Sequence, residues 1–244
     1  MNSIIERMAF IIAKAIPTGM SFSIKSGPMK GKKWIAGAAA GQGKGISVIL
    51  GRSEEKMLHY MNEMLCKSSK YKVCFDFGAN VGFYTLLFSM YADMVYGFEP
   101  LPRNLHYLVK LINVNKINNV HVVPAAVSCC SRISFFSEGE NAALGRLDDK
   151  GDIPVLSITC DKFTEETGIV PDLMKIDVEG SELNLLRGAE NILKKHHPSI
   201  VLSIHSTDLR RDCIDFLHET GYATILPVCA SSIQRASDLV AIYQ

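Results

Sequence analysis

The chain has 244 residues, of which 48% are hydrophobic and 21% charged, with a net charge of +1. This length and composition suit one large α/β domain, with or without a short extension, and the charge leaves no electrostatic footprint for nucleic acid or an anionic membrane. Seven cysteines, with no Cys-x-x-Cys pair and with Cys129 beside Cys130, argue against a disulfide framework and for buried thiols in a reducing, cytoplasmic compartment.

Residues 1–16 place Ile4, Ile5, Met8, Ile11, Ile12, Ala15 and Ile16 on one helical stripe, interrupted elsewhere by Glu6, Arg7 and Lys14. The stripe falls short of the roughly 20 apolar residues of a membrane span, and no small-residue cleavage site follows it. The expectation is an amphipathic helix that packs on the main domain or on a second subunit, which makes residues 1–70 an N-terminal extension suited to a homodimer contact. Attachment to a membrane surface is the other role left open. Lys25, Lys30, Lys32 and Lys33 read as a solvated face. Gly41-Gln42-Gly43-Lys44-Gly45 imitates a phosphate loop, but Ala38 and Gly45 stand where that loop needs glycine and a hydroxyl residue. It reads as a turn between short strands, with Trp34 and Ile35 before it and Ile46 to Leu50 after it.

The rest of the chain, 71–244, alternates. Strands are predicted at 72–77, 94–98, 119–124, 154–159, 172–176, 199–205, 222–226 and 238–243, and helices at 82–91, 101–114, 181–194 and 208–220. Asp208 is placed to cap the last helix and Gly221 to stop it. This rhythm predicts an α/β fold with a mostly parallel seven-stranded sheet and helices on both faces. No helix separates the last two strands, so the C-terminal one should run antiparallel. Residues 131–152 break the pattern as a hairpin and a polar loop, a candidate lid. His196 and His197, at a helix end, read as an exposed pair that favours the helix dipole.

Ligands of such sheets lie beyond the carboxyl ends of the strands. Those ends hold Asp76 to Gly82, Glu99 and Pro100, Ala125 to Val127, Asp177 to Glu182, and His205 to Thr207. Gly78 and Gly82 let the backbone approach a ligand, and Asn80 offers both a donor and an acceptor. Glu99, at the end of the second strand, can accept both hydroxyls of a ribose. Carboxylates also suit a sulfonium, so S-adenosylmethionine matches the set. Asp177 and Glu179, with Asp161 or His205, can ligate Mg²⁺. No spacing demands an ion, and no metal is expected.

Three strings carry a resemblance: Phe75-Asp76-Phe77-Gly78-Ala79-Asn80-Val81-Gly82-Phe83-Tyr84-Thr85, then Phe98-Glu99-Pro100, then Leu173-Met174-Lys175-Ile176-Asp177-Val178-Glu179-Gly180-Ser181-Glu182. Together with Ser157-Ile158-Thr159-Cys160-Asp161, Leu186-Arg187-Gly188-Ala189, Pro198 and His205, they make residues 71–206 similar to the FkbM family of methyltransferases. Gly27 to Trp34 is weakly similar to its N-terminal segments.

The resemblance implies a class I, Rossmann-like fold and S-adenosylmethionine-dependent O-methylation of a hydroxyl on a sugar, another small molecule or a lipid-linked glycan. Under it, Asp76 organises the loop or meets the methionine amine, and Gly78, Ala79, Asn80, Gly82 and Pro100 shape the cofactor site. Glu99 meets the ribose and Ala126 leaves room for the adenine, while Asn104 lies by the adenine or is a solvated residue of the helix surface. Tyr84 and Thr85 serve the cofactor or only helix packing. Asp177 and His205 are the candidate bases, His205 having the more suitable ordinary pKa. As a bland alternative, His205 is simply hydrogen-bonded at a strand end. Lys175 needs Asp177 or Glu179 as a partner, and Glu179 and Glu182 orient the acceptor or cap a helix. Cys160 stands where the family has leucine, and Ser203 where it commonly has glutamate.

Rival readings fit less well. A nicotinamide oxidoreductase calls for Gly-x-Gly-x-x-Gly, and Asn80 occupies the place of the second glycine. A nucleic-acid N-methyltransferase calls for Asp/Asn-Pro-Pro-Tyr/Phe, where this chain has Asp177-Val178-Glu179-Gly180. A non-catalytic binding protein would not need so intact a cofactor loop.

Overall fold

The computed structural model describes residues 16–38, 45–67, 71–138 and 145–243. The chain opens with an antiparallel hairpin, β1 (Ser21–Ser23) and β2 (Lys33–Ile35), and two helices, α1 (Ile46–Leu50) and α2 (Glu55–Cys66). Alternation follows with β3 (Val73–Phe77), α3 (Phe83–Phe88), β4 (Met94–Phe98), α4 (Pro102–Val114) and β5 (Val120–Val123). A second unit of short strands comes next: β6 (Ala126–Val127), β7 (Arg132–Ser137), β8 (Arg146–Leu147) and β9 (Ile153–Ile158). Alternation resumes with α5 (Cys160–Thr167), β10 (Leu173–Ile176), α6 (Glu182–Arg187), α7 (Glu190–His196), β11 (Ser199–Ser203), α8 (Thr207–Glu219), β12 (Thr224–Pro227) and β13 (Asp238–Ile242).

The main sheet has seven strands in the order β12-β13-β11-β10-β3-β4-β5. All its neighbours are parallel except β13, which runs antiparallel to both β11 and β12. Strand order reverses at β3, between β4 and β10, so a ligand crevice belongs above the carboxyl ends of these strands.

Period-2 alternation sorts the side chains onto two faces. Phe75, Phe77, Met174, Ile176, Ile200 and Leu202 point to one face and pack with Phe163, Leu185, Leu193 and Leu217 from α5 to α8. Cys74, Leu173, Val201 and Val240 point to the other, under α2, α3 and the N-terminal hairpin, where Trp34, Leu58, Met61 and Leu87 join the same core. Burying a side chain of this size contributes about 1.5–3 kcal/mol, so the N-terminal residues Trp34, Leu58 and Met61 add to the stability of the sheet's own core.

Several expectations need correction. Ile46–Leu50 is a short helix rather than a strand, bracketed by Gly45 (φ 74°) and Gly51 (φ 72°), with Val48 and Ile49 buried. The strand predicted at 154–159 forms as β9 but does not enter the main sheet. It pairs parallel with β6 and antiparallel with β7 in a separate four-stranded sheet. The hairpin expected in 131–152 is β7 with β8, although its polar loop at 139–144 lies outside the described residues. So do the N-terminal stripe at 1–15 and the glycine-rich turn at 39–44.

The helix predicted at 181–194 is two, α6 and α7, because Gly188 runs against backbone: a Cβ there would lie 2.1 Å from the Ser128 carbonyl oxygen. The break frees the Gly188 carbonyl to accept from the Asp161 N–H, while the Asp161 carboxylate accepts from the N–H groups of Asn191 and Ile192. Asp161 is therefore a helix cap, far in role from a metal ligand. Ser206, not Asp208, caps α8 by accepting from the Leu209 N–H. Gly221 does end α8: its N–H reaches the His218 carbonyl, and that of Tyr222 the Leu217 carbonyl. His196 is exposed, but His197 turns at φ 51° and stacks on Tyr243 at 3.5 Å. The seven cysteines are all free, but only Cys74, Cys160 and Cys213 are buried. Among the described residues no helix is long and apolar enough to cross a membrane.

Candidate active site

The loop after β3 is folded down onto its neighbours. Gly78 (φ 78°) lies so close to the β10 end that a Cβ would sit 1.9 Å from the Asp177 carbonyl oxygen. The N–H groups of Gly78 and Ala79 both donate to the Phe98 carbonyl at the end of β4. Asn80 adopts φ 50°, a left-handed conformation that asparagine tolerates better than most residues. Gly82 (φ 96°) faces α4 instead, where a Cβ would meet Leu108 and Leu111 at 2.7 and 3.0 Å. Its role in the structure is close helix packing.

Glu99 stands where this loop meets the β4 end. Its carboxylate is buried and accepts from the N–H of Asn80 (2.9 Å), the N–H of Leu101 (2.9 Å) and the Asn104 amide (3.2 Å). Burial pushes its pKa up, and these donors counter the shift. A carboxylate has about four acceptor sites, so one remains for a ligand hydroxyl. Asp76, Gly78, Ala79, Asn80, Tyr84, Glu99, Pro100, Asn104, Ala126 and Asp177 all line one cavity at this end of the sheet. Thr85 stands behind it and donates to Asp76 at 2.5 Å.

A polar row crosses the sheet beneath that cavity. Asp76 of β3 lies beside Lys175 of β10, and Ser203 of β11 beside Asp238 of β13. The fully buried Lys175 ammonium donates to Ser203 Oγ (2.7 Å), pairs with Asp177 (3.2 Å) and lies 5.0 Å from the centre of the Tyr84 ring. Ser203 in turn donates to Asp238 at 2.6 Å. A carboxylate is thus available to this row after all, from β13 rather than from position 203. Asp76 is raised to about 6, chiefly by burial and against the pull of Thr85 and Lys175.

Beyond β10 the chain turns through Glu179 (φ 52°) and Gly180 (φ 99°). Asp177 and Glu179 face the cavity. Behind them His205, following β11, offers Nε2 to Asp177 at 3.6 Å and to Glu179 at 3.4 Å. Its Nδ1 meets Glu182 at 3.0 Å, and the same Glu182 oxygen accepts from the Gly180 N–H. The Glu182 contact, with Glu179 and Asp177 adding to it, raises the imidazole to about 9, against a smaller opposing effect of burial. His205 is therefore not the near-neutral histidine that its residue type suggests, and it is not among the residues that line the cavity.

Some of the wall was absent from the sequence reading. Trp34, Ser53 and Glu54 come from the N-terminal segment, and Phe136 and Leu147 from the second sheet. Glu54 accepts a hydrogen bond from the Tyr84 hydroxyl, and burial raises its carboxyl pKa. Next to Glu55 it reads in sequence as ordinary helix-start acidity, with no signal that it faces a site.

Comparison with known proteins bears on the family and the fold. The chain is 26% identical over 194 residues to hexuronic acid methyltransferase AglP of Haloferax volcanii, covering 78% of this chain and 76% of that one. The structure superposes on a methyltransferase FkbM from Methylobacillus flagellatus with a TM-score of 0.51 at 18% identity, over 82% of this chain and 54% of that one. It also matches a Streptococcus mutans protein described as a methyltransferase and solved with S-adenosylhomocysteine, at TM-score 0.50 and 12% identity, over 76% of this chain and 96% of that one. These two likenesses establish the class I methyltransferase-like fold. The model of the methyltransferase FkbM domain matches residues 76–223, and with more than half its length so matched, the chain belongs to the FkbM methyltransferase family.

Proposed function

We propose that this protein is an S-adenosylmethionine-dependent O-methyltransferase acting on a hydroxyl of a sugar, another small molecule or a lipid-linked glycan. The observation that carries the reading is Glu99: a buried carboxylate, oriented by two backbone N–H groups and the Asn104 amide, with acceptor capacity left toward the cavity. It fits a ribose. Asp76 fits the ammonium of the methionine moiety. S-adenosylmethionine supplies an activated methyl group, whose bond to sulfur breaks as its bond to the acceptor oxygen forms.

The chain's part is to align that oxygen and receive its proton. Asp177 faces the cavity with one oxygen held by Lys175, which makes it the group to take the proton as the new bond forms. Positioning of this kind can account for roughly 7–11 kcal/mol of barrier, and a placed base for about 10²–10⁴-fold in rate. Trp34, Phe83, Tyr84 and Phe136 give the remaining wall aromatic surface, against which a sugar ring or an apolar aglycone packs. The named activity of the Haloferax relative favours a sugar.

Calorimetry of S-adenosylhomocysteine binding, with NAD in parallel, tests the reading. Wild type is expected to bind S-adenosylhomocysteine and not NAD. Glu99→Ala should weaken that binding about 10- to 100-fold, the value of charge-assisted hydrogen bonds worth about 1.5–3 kcal/mol. No binding of S-adenosylhomocysteine to folded wild type would refute it.

Asp76 adds a pH signature. Its carboxyl titrates at about 6 rather than 3.8, so it is charged above that pH and neutral below. Affinity for the ammonium-bearing ligand should fall as pH drops through about 6. Asp76→Asn should bind more weakly and lose that dependence, as the same calorimetry at pH 5 and 8 would show.

A further inference from the structure

We propose that Asp177, Glu179 and His205 bind a divalent cation of the Mg²⁺ or Mn²⁺ class at the edge of the cavity, and that this ion holds the acceptor by its reacting hydroxyl and a neighbouring oxygen. The site would thereby select a vicinal diol or a hydroxy acid. The acceptor half of the proposal rests on the methyl-transfer reading; the ion site itself does not.

Geometry comes first. Single ligand atoms of these three residues all lie within 4.8 Å of one another. His205 Nε2 stands 3.6 Å from Asp177 Oδ1 and 3.4 Å from Glu179 Oε2. Both distances exceed the roughly 2.7–3.2 Å of a well-formed N–H···O bond. The 3.4 Å distance falls within, and the 3.6 Å distance just beyond, the separation of about 3.0–3.5 Å between two ligands that each sit about 2.1 Å from a shared ion.

A second observation concerns what holds the imidazole. Glu182 is fully buried, its Oε1 contacts His205 Nδ1 at 3.0 Å, and its Oε2 has no hydrogen-bond partner. A carboxylate behind a histidine, fixing the far ring nitrogen toward other ligands, is the usual outer support of a metal-bound histidine. Asp177 is supported in the same way: Lys175 holds its Oδ2, which leaves Oδ1 directed at the cluster. With the ion bound, Asp177 serves as a ligand, and the ion's charge, in place of a free Asp177 oxygen, would ease loss of the acceptor proton.

Charge agrees with this. Glu54, Asp76, Glu99, Asp177 and Glu179 line the cavity, and among its described wall residues there is no Lys, Arg or His. A dication, taking the place of the proton on His205 Nε2, adds to the single charge that Lys175 brings from beneath and offsets that excess. It also gives an anionic sugar, of the kind named for the Haloferax relative, a partner in a wall that would otherwise repel it. The two carboxylates suit Mg²⁺ or Mn²⁺, the one imidazole inclines the set toward Mn²⁺, and three protein ligands leave positions open for two acceptor oxygens.

The test uses the full chain after chelation. Mn²⁺ binding is followed by the electron paramagnetic resonance signal of the free ion, and S-adenosylhomocysteine binding is measured by calorimetry on the same samples. Wild type is expected to bind one Mn²⁺ per chain, displaced by Mg²⁺. His205→Ala and Glu179→Gln should each weaken Mn²⁺ at least about tenfold. Glu182→Gln, at a positioning residue, should weaken it about 10- to 100-fold, with S-adenosylhomocysteine affinity little changed in all three variants.

Absence of Mn²⁺ binding by wild type that still binds S-adenosylhomocysteine would overturn the proposal and leave the methyl-transfer reading standing. Mn²⁺ binding indifferent to both His205→Ala and Glu179→Gln would overturn it as well. Ligand-dependent Mn²⁺ binding without any S-adenosylhomocysteine affinity would support the ion site and refute methyl transfer.

Discussion

Gly78→Ala should lower stability by about 2–6 kcal/mol and leave S-adenosylhomocysteine binding undetectable in whatever protein still folds. Two costs combine there. A non-glycine residue held at φ 78° carries about 1–3 kcal/mol of backbone strain. The added Cβ would also stand 1.9 Å from the Asp177 carbonyl oxygen, a backbone atom that cannot swing aside, and overpacking of this kind costs about 1–3 kcal/mol more. Relief requires the β3 loop to lift from the end of β10. That motion drags Asn80 off Glu99 and Asp177 off Lys175, so the carboxylate proposed for the ribose and the proposed proton acceptor are displaced together. In a chain of this size the melting temperature should fall by roughly 5–20 °C.

Two other glycines separate the causes. Gly180 has φ 99° with nothing within 4 Å of a built Cβ, so Gly180→Ala should cost only the conformational part, about 1–2 kcal/mol. Gly82→Ala meets the mobile ends of Leu108 and Leu111 and should fall between the two. Equal losses at Gly78 and Gly180 in thermal unfolding would show that the contact with Asp177 is not what sets the cost.

The glycine comparison also marks what the sequence could disclose. Asp76, Gly78, Asn80 and Glu99 were legible because their chemistry is local: a strand ends, the chain turns, and a carboxylate recurs at the end of the next strand. Legibility stops where a role depends on a distant partner. Ile46–Leu50 carries β-branched residues in an apolar run and reads as a strand, yet left-handed glycines at both ends and the docking of Val48 and Ile49 make it helical. β9 alternates as a strand should, with Leu156 and Pro154 outward, but nothing within it says which sheet it joins. Gly188 interrupts a helical pattern only because Ser128 lies against it. Glu54 reaches the cavity by a fold of the N-terminal segment that no spacing in the chain encodes. The carboxylate missing at Ser203 is supplied from Asp238, a residue 35 positions on that meets it only through antiparallel register.

That relay makes Lys175 the position of largest electrostatic consequence. Lys175→Met should cost about 3–5 kcal/mol, the penalty for stranding a buried charge by removing its partner. Asp177 is about a third exposed and can turn to water. Asp76 cannot: it is buried beneath the loop with Thr85 as its only hydrogen-bonding side chain among the described residues. The sign with pH follows from its raised pKa. Below about 6 Asp76 is neutral, and losing the ammonium strands no charge on it. Above that value it is ionised, and the full cost is felt. The loss in urea unfolding should therefore be large at pH 8 and much smaller at pH 5, and adding Asp76→Asn should recover much of it at pH 8. In Lys175→Met the pKa of Asp76 should climb further, because the attraction that lowers it is gone, and the pH below which cofactor affinity declines should climb with it. A stability loss equal at pH 5 and pH 8, and not relieved by Asp76→Asn, would mean that Lys175 serves the fold by filling space between Tyr84 and Ser203. Its charge would then have no part in holding the polar row on which Asp177 depends.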